Sequence, residues 1–169
     1  MAKLKGVKKL NKAISTELKD FKVNAVLDTE FAMFMEDRII GYKLDVNTVD
    51  KWFDEYIYKT FGFDVGENDF VMSLLHEIGH FKTLNQVEQK TYDKAQKEIA
   101  KIQKKLEKVD TERKEKNLHF KYFSVPTEII ATAWAVEWAR NHPKKYKKMC
   151  KNTLLAIQEF YKINNVTDD

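Results

Sequence analysis

Glycine and proline are scarce in this chain, and their positions restrict the folds that it can adopt. The 169 residues include five glycines and two prolines. Neither type occurs between positions 80 and 125, so this stretch contains no residue that readily ends a helix or forms a tight turn. The scarcity disfavours sandwiches and barrels, which need many tight turns, and it predicts long helices.

Apolar residues repeat at helical spacing in most of the chain. Residues 85–117 carry many lysines beside a short apolar seam, which predicts one long helix or a helical hairpin, packed internally or against a second copy. Residues 21–45 alternate apolar with other residues and are rich in aromatic and β-branched types, which predicts two or three strands. Further helices are predicted at 3–19, 47–61, 70–83, 127–141 and from 143 onward.

Composition excludes several classes of protein. Apolar residues make up 43% and charged residues 33%, a globular balance, and no apolar run is long enough to cross a membrane. Cys150 is the single cysteine, which excludes a disulfide framework and a cysteine-rich zinc finger. The N-terminal residues lack the apolar stretch of a secretory signal. We therefore expect a single domain over residues 1–169, located in the cytoplasm and with no membrane partner.

The motif that carries chemistry is His76-Glu77-Ile78-Gly79-His80. On a helix, the two histidines lie on the same face, where both imidazoles can bind one metal ion. Glu77 stands beside the metal, where it can accept a proton from metal-bound water. The alternative is a pair of structural histidines with a coincidental glutamate between them.

A metal site of this kind needs a third ligand, and we assign Glu128. Thr83 and Gln86 stand where a metzincin has glycine and histidine, which excludes that subclass. Glu128 belongs to an almost wholly apolar helix, where a buried carboxylate is costly unless it is paired or binds a metal. Glu137 lies nine positions later, on the opposite face, with Arg140 as a salt-bridge partner. Weaker candidates are Glu98, His119 and His142.

HEIGH followed by the helical segment PTEIIATAWA resembles the gluzincin-type zinc metallopeptidases, in particular the compact ImmA/IrrE-like group of phages and prophages. The resemblance is confined to these two segments. It implies an α+β, mostly helical zincin-like fold, whose small N-terminal antiparallel sheet packs on the HExxH helix. It also implies one zinc ion (Zn2+) per chain, bound by His76, His80 and Glu128, with Glu77 as the general base. The lysine-rich residues at about 85–117 would be a helical insert in this metallopeptidase-like domain.

The expected activity is zinc-dependent hydrolysis of peptide bonds in a protein or peptide substrate, by an endopeptidase rather than an exopeptidase. An edge strand within residues 31–44 would bind the substrate by backbone pairing. His119 and Tyr122 are weak candidates for stabilising the oxyanion. A phage-encoded enzyme of this kind would act in the cytoplasm of the host.

Two other functions remain open. The first is a zinc-containing regulatory or structural protein without catalysis, whose metal would have no open coordination position. The second is a nucleic-acid-binding protein, because residues 141–151 hold five lysines around Tyr146 and no acidic residue. The oligomeric state is also open.

Overall fold

α-Helices make up most of the structure. The computed structural model describes residues 8, 9, 12, 22–25, 32–34, 39–42, 51–66 and 70–164. Two compact units are distinguished: Met1–Val49 together with Ala139–Asp169, and Asp50–Trp138. His76, Glu77, His80 and Glu128 all belong to the second unit.

The regular secondary structure in the described part of the second unit is entirely helical. Gly62, with φ of 62°, ends the first helix by donating its backbone N–H to the carbonyl of Tyr58 at 2.9 Å. Pro126 stands at the first position of the last helix, where its missing N–H is tolerated. The helices are α1 (Lys51–Phe61), α2 (Phe70–Thr83), α3 (Gln89–Leu106), α4 (Glu112–Phe123) and α5 (Pro126–Asn141), and a short 3-10 turn (Leu84–Gln86) follows α2. The end of α5 extends into the first unit.

The lysine-rich segment forms a helical hairpin, which is one of the two forms that its sequence allowed. α3 and α4 are separated by a short connection, and their apolar residues share one cluster. Ala95, Ile99 and Ile102 of α3 are buried with Val125, and Leu118 of α4 packs against them. The apolar seam of α3 is therefore covered within the same unit.

α2 is deeply buried and approaches α5 closely. Gly79 makes this approach possible, because a Cβ atom at this position would overlap the backbone oxygen of Ala131 and lie 3.0 Å from its carbonyl carbon. Ala131 and Ala135 are fully buried on α5. Because Gly79 has no side chain, the HExxH helix can pack directly against the backbone of the helix that contains Glu128.

The first unit contains a small mixed sheet and a long helix. The sheet consists of β1 (Lys22–Ala25), β2 (Ala32–Phe34) and β3 (Ile39–Tyr42), in the order β1-β3-β2. β1 runs parallel to β3 and β2 runs antiparallel to it. The helix is α6 (Pro143–Asn164), on which Tyr146, Met149 and Thr153 are buried.

The predicted fold class, an α+β fold with an antiparallel sheet packed on the HExxH helix, is wrong. Among the residues whose side chains the structure describes, 86% are helical and none lies in a strand. The strands, whose backbone alone is described, form a mixed sheet. β1 pairs in parallel with β3 and not with β2, the next strand in the sequence. Alternating apolar residues predict strands but do not determine which strands pair. The sheet also belongs to a different unit from the HExxH helix.

Other predictions for the ends of the chain fall largely outside the described residues. Of the helix predicted at 3–19, Lys8, Lys9 and Lys12 are described and helical. In the part of the chain that the structure describes, no helix combines the length and apolarity required to cross a membrane.

The close approach of α2 and α5 leads to a first prediction, for Gly79→Ala. In an ordinary helix this change stabilises by about 1 kcal/mol, because alanine has the higher helix propensity. Here the new methyl group meets the backbone of Ala131, so we expect a loss of about 1–3 kcal/mol in the free energy of unfolding. Urea denaturation followed by circular dichroism measures this difference.

Ala100→Gly is the control, since Ala100 is exposed on α3 and reports the ordinary propensity difference. It should destabilise by about 1 kcal/mol. A Gly79→Ala protein as stable as the original, or more stable, would contradict the tight contact between α2 and α5.

Candidate metal centre

α2 and α5 bring two histidines and one glutamate together. His76 and His80 lie one turn apart on α2, and Glu128 lies in the first turn of α5. The Nε2 atoms of the two histidines are 3.1 Å apart. Oε2 of Glu128 lies 3.2 Å from Nε2 of His76 and 3.3 Å from Nε2 of His80. The three atoms therefore form a nearly equilateral triangle.

The size of this triangle fits a zinc ion. Zinc binds imidazole nitrogen at about 2.0–2.1 Å and carboxylate oxygen at about 2.0–2.2 Å in a tetrahedral arrangement, which separates two ligand atoms by about 3.3–3.5 Å. The observed separations of 3.1, 3.2 and 3.3 Å lie at or just below this range. Among the described residues, these three are the group of metal-binding side chains with such an arrangement.

Thr132 bridges His76 and the backbone of Glu128. Its hydroxyl lies 2.9 Å from the backbone oxygen of Glu128, which can only accept, and 2.9 Å from Nδ1 of His76. When the hydroxyl donates to the Glu128 carbonyl, Nδ1 of His76 carries a proton and donates to the hydroxyl oxygen. Neutral His76 in this tautomer has a lone pair on Nε2, directed at the triangle.

In this tautomer, hydrogen-bond acceptors of neighbouring side chains point at one another. The Nε2 lone pair of His76 meets the Glu128 carboxylate at 3.2 Å. Two acceptors at this distance repel each other unless a positive charge lies near both. One cation bound to the triangle would stabilise all three contacts at once, whereas a proton on His76 would stabilise the contacts of that residue alone. The geometry of this tautomer suits a metal ion, whereas the opposite tautomer, with Thr132 donating to Nδ1 and Nε2–H donating to Glu128, gives a histidine–glutamate pair.

Electrostatics keep the glutamate in its ligand form. Burial alone raises the pKa of the Glu128 carboxyl, but hydrogen bonds from His76 and His80, when their Nε2 atoms carry protons, outweigh this effect and lower the pKa to about 2. Burial lowers the pKa of the His80 imidazole, but its hydrogen bond to Glu128 and the nearby negative charges more than reverse that effect. Glu128 is therefore ionised at neutral pH, as a metal ligand must be.

Aromatic side chains pack behind His76. Phe53 of α1 meets the imidazole edge-on, with ring centroids 5.3 Å apart, and lies 5.0 Å from the ring of Phe123. The hydroxyl of Tyr56 donates to the backbone oxygen of Phe123 at 3.1 Å and thereby ties α1 to the end of α4. These contacts fix the orientation of the imidazole and exclude water from its rear.

The three side chains of the triangle differ in their exposure to solvent. The side chain of His80 is 23% exposed, whereas those of His76 and Glu128 are 9% and 5% exposed. Of the three, His80 therefore has the most contact with solvent. Glu77, the predicted base, follows His76 on α2 and is half-buried.

The remaining candidates from the sequence are not part of the triangle. Glu137 is exposed on α5, and Glu98 lines a groove between α3 and α4. His119 lies 4.0 Å from the carboxylate of Glu115, and its ring is tilted by 36° relative to that of Phe123, with centroids 5.9 Å apart. Two further residues lie elsewhere: Tyr122 packs against the apolar cluster of the α3–α4 hairpin, and His142 precedes α6.

Thr132 is a residue of the candidate site that the sequence analysis does not identify. A signal was present, because it lies four positions after Glu128 and so occupies the same helix face in an otherwise apolar segment. Its role depends on the distance to His76, which no pattern in the sequence determines.

Comparisons with protein-family models, with curated proteins and with solved structures give no match for this chain. The interpretation of the site therefore depends on its own geometry.

Thr132→Val tests the hydrogen bond to His76. Valine has a similar shape but lacks the hydroxyl, so Nδ1 of His76 loses its acceptor. Loss of such a partner lowers metal affinity by about 10–100-fold. We expect this decrease in a zinc titration that uses a chromophoric chelator as competitor, with helix content unchanged.

Thr153→Val is the matched control. Thr153 is also buried, and its hydroxyl also donates to the carbonyl four residues before it, at 3.0 Å. This variant should show a comparable loss of stability, about 1 kcal/mol, with unchanged zinc affinity. Equal zinc affinity in the two variants would refute the role assigned to Thr132.

Proposed function

We propose that this chain is a zinc-dependent peptidase that hydrolyses internal peptide bonds of a protein or peptide substrate. The observation that carries the proposal is the triangle of His76, His80 and Glu128, whose atoms are 3.1–3.3 Å apart. The HExxH sequence and its resemblance to the gluzincins support the same proposal. If the resemblance to the ImmA/IrrE-like group holds, the enzyme acts in the cytoplasm, that of the host when a phage encodes it.

The proposed roles follow from the positions of the side chains. His76, His80 and Glu128 would hold one zinc ion per chain, and Thr132 would keep His76 in the binding tautomer. Bound zinc acidifies water and polarises the carbonyl of the scissile bond. Glu77 would accept the proton of the attacking water and deliver it to the leaving amine.

The exposure of the triangle favours catalysis over a purely structural metal site. A structural zinc site is closed by four protein ligands, whereas a catalytic site has three and leaves one position for water or substrate. Here three candidate ligands are present among the described residues, and the side chain of His80 is 23% exposed. A half-buried glutamate that follows the first ligand suits the role of the base.

Replacement of Glu77 by glutamine tests this function. Glutamine has nearly the same size but cannot accept the proton, so we expect hydrolysis to fall by about 10²–10⁴-fold. Zinc content should stay at one ion per chain, measured by mass spectrometry on protein purified without chelators or metal-affinity resin. Activity is measured by cleavage of a quenched fluorescent peptide library.

Two other variants make the result specific. Glu137→Gln changes an exposed glutamate and should leave both zinc content and hydrolysis unchanged. His76→Ala should abolish both, because it removes a ligand. Stoichiometric zinc without hydrolysis in the original protein would instead support a regulatory or structural protein. Full activity of Glu77→Gln would refute the assigned base.

A further inference from the structure

A lysine-lined groove runs between α3 and α4, away from the metal ligands. It has a volume of about 400 Å³. One wall consists of Lys94, Lys97, Lys101 and Lys105, which follow one another at steps of three or four residues along α3, and Lys121 of α4 contributes to the groove as well. The arrangement concentrates five positive charges around one small cavity.

These lysines differ from others in the same unit because they form no ion pair with the described residues, although Glu98 lines the same groove. Lys59 and Lys116 both contact the carboxylate of Glu55, and Lys114 lies 2.8 Å from that of Asp110. None of the groove lysines forms an ion pair within the part of the chain that the structure describes. Their charge is therefore available to a partner.

The floor of the groove is apolar. Ile102 of α3 and Leu118 of α4 line it, and both belong to the packing of the hairpin. A site with an apolar floor and a charged rim is complementary to an apolar side chain flanked by charges of opposite sign. This pattern occurs in an amphipathic acidic segment of a protein.

We propose that the groove docks an acidic segment of a partner protein, with a leucine-like side chain on the partly buried Leu118 and carboxylates on the lysines. Two observations disfavour nucleic acid as the occupant. Glu98 also lines the groove, and its charge would repel a continuous chain of phosphates. The lining contains no aromatic residue on which bases could stack.

The proposal is independent of the peptidase function and is tested by binding alone. The probe is a fluorescein-labelled twelve-residue peptide of glutamates and leucines, titrated with the full chain and followed by fluorescence anisotropy. Saturable binding that weakens with added salt is expected, because exposed charges are screened. The same peptide with serine in place of leucine should bind more weakly, because it has no apolar side chain for the floor.

The decisive variant is Lys97→Glu/Lys101→Glu. It replaces two attractions with two repulsions, so the peptide affinity should fall about tenfold. Lys144→Glu/Lys148→Glu is the control, with the same change of charge at two exposed lysines of α6. The control should weaken binding by less than about twofold, through the change in net charge alone.

Three outcomes would overturn the proposal. The first is absence of saturable binding of the acidic peptide, and the second is an equal loss of affinity in the two double variants. The third is tighter binding of a single-stranded oligonucleotide than of the peptide, abolished by Lys97→Glu/Lys101→Glu, which would identify the groove as a nucleic-acid site.

Discussion

The second unit of this protein is organised around one buried carboxylate. Glu128 is 4% exposed, on a helix whose neighbouring positions are mostly apolar or small. A carboxylate in such a place is stable only if positive charge or hydrogen-bond donors surround it. Two imidazoles reach it, and they do so because α2 lies directly against the backbone of α5 at Gly79. Close helix packing and the position of the candidate metal ligands thus have the same cause.

The sequence predicts the residues of the candidate site better than it predicts the fold. His76 and His80 share a helix face by their spacing, and Glu128 was selected because an acid in an apolar helix requires a partner. Local periodicity and the cost of burying a charge can both be inferred from neighbouring residues in the sequence. The role of Thr132 could not be read in this way, since its bond to His76 joins residues 56 positions apart.

The error in the fold class has a related physical origin. Alternation along residues 21–45 predicts strands because each strand has one side toward a core. Pairing is decided by contacts between strands, and β1 pairs with β3 rather than with the next strand in sequence. The lysine-rich segment is a second example. Its periodicity indicates a helix with one buried face but does not identify the element that packs on that face. The packing element is α4, and its position depends on where α3 ends and the chain turns back.

Thr132 makes the candidate metal site a single cooperative unit. Its hydroxyl contacts His76 and the backbone of Glu128, so one side chain relates a candidate ligand of α2 to a candidate ligand of α5. A displacement of α5 would move Glu128 and at the same time remove the hydrogen-bond partner of His76. The affinity for a metal would therefore be linked to the packing of these two helices, because binding energy that requires both helices in place also stabilises their contact. On this argument, the metal would hold the two helices together as much as the helices hold the metal.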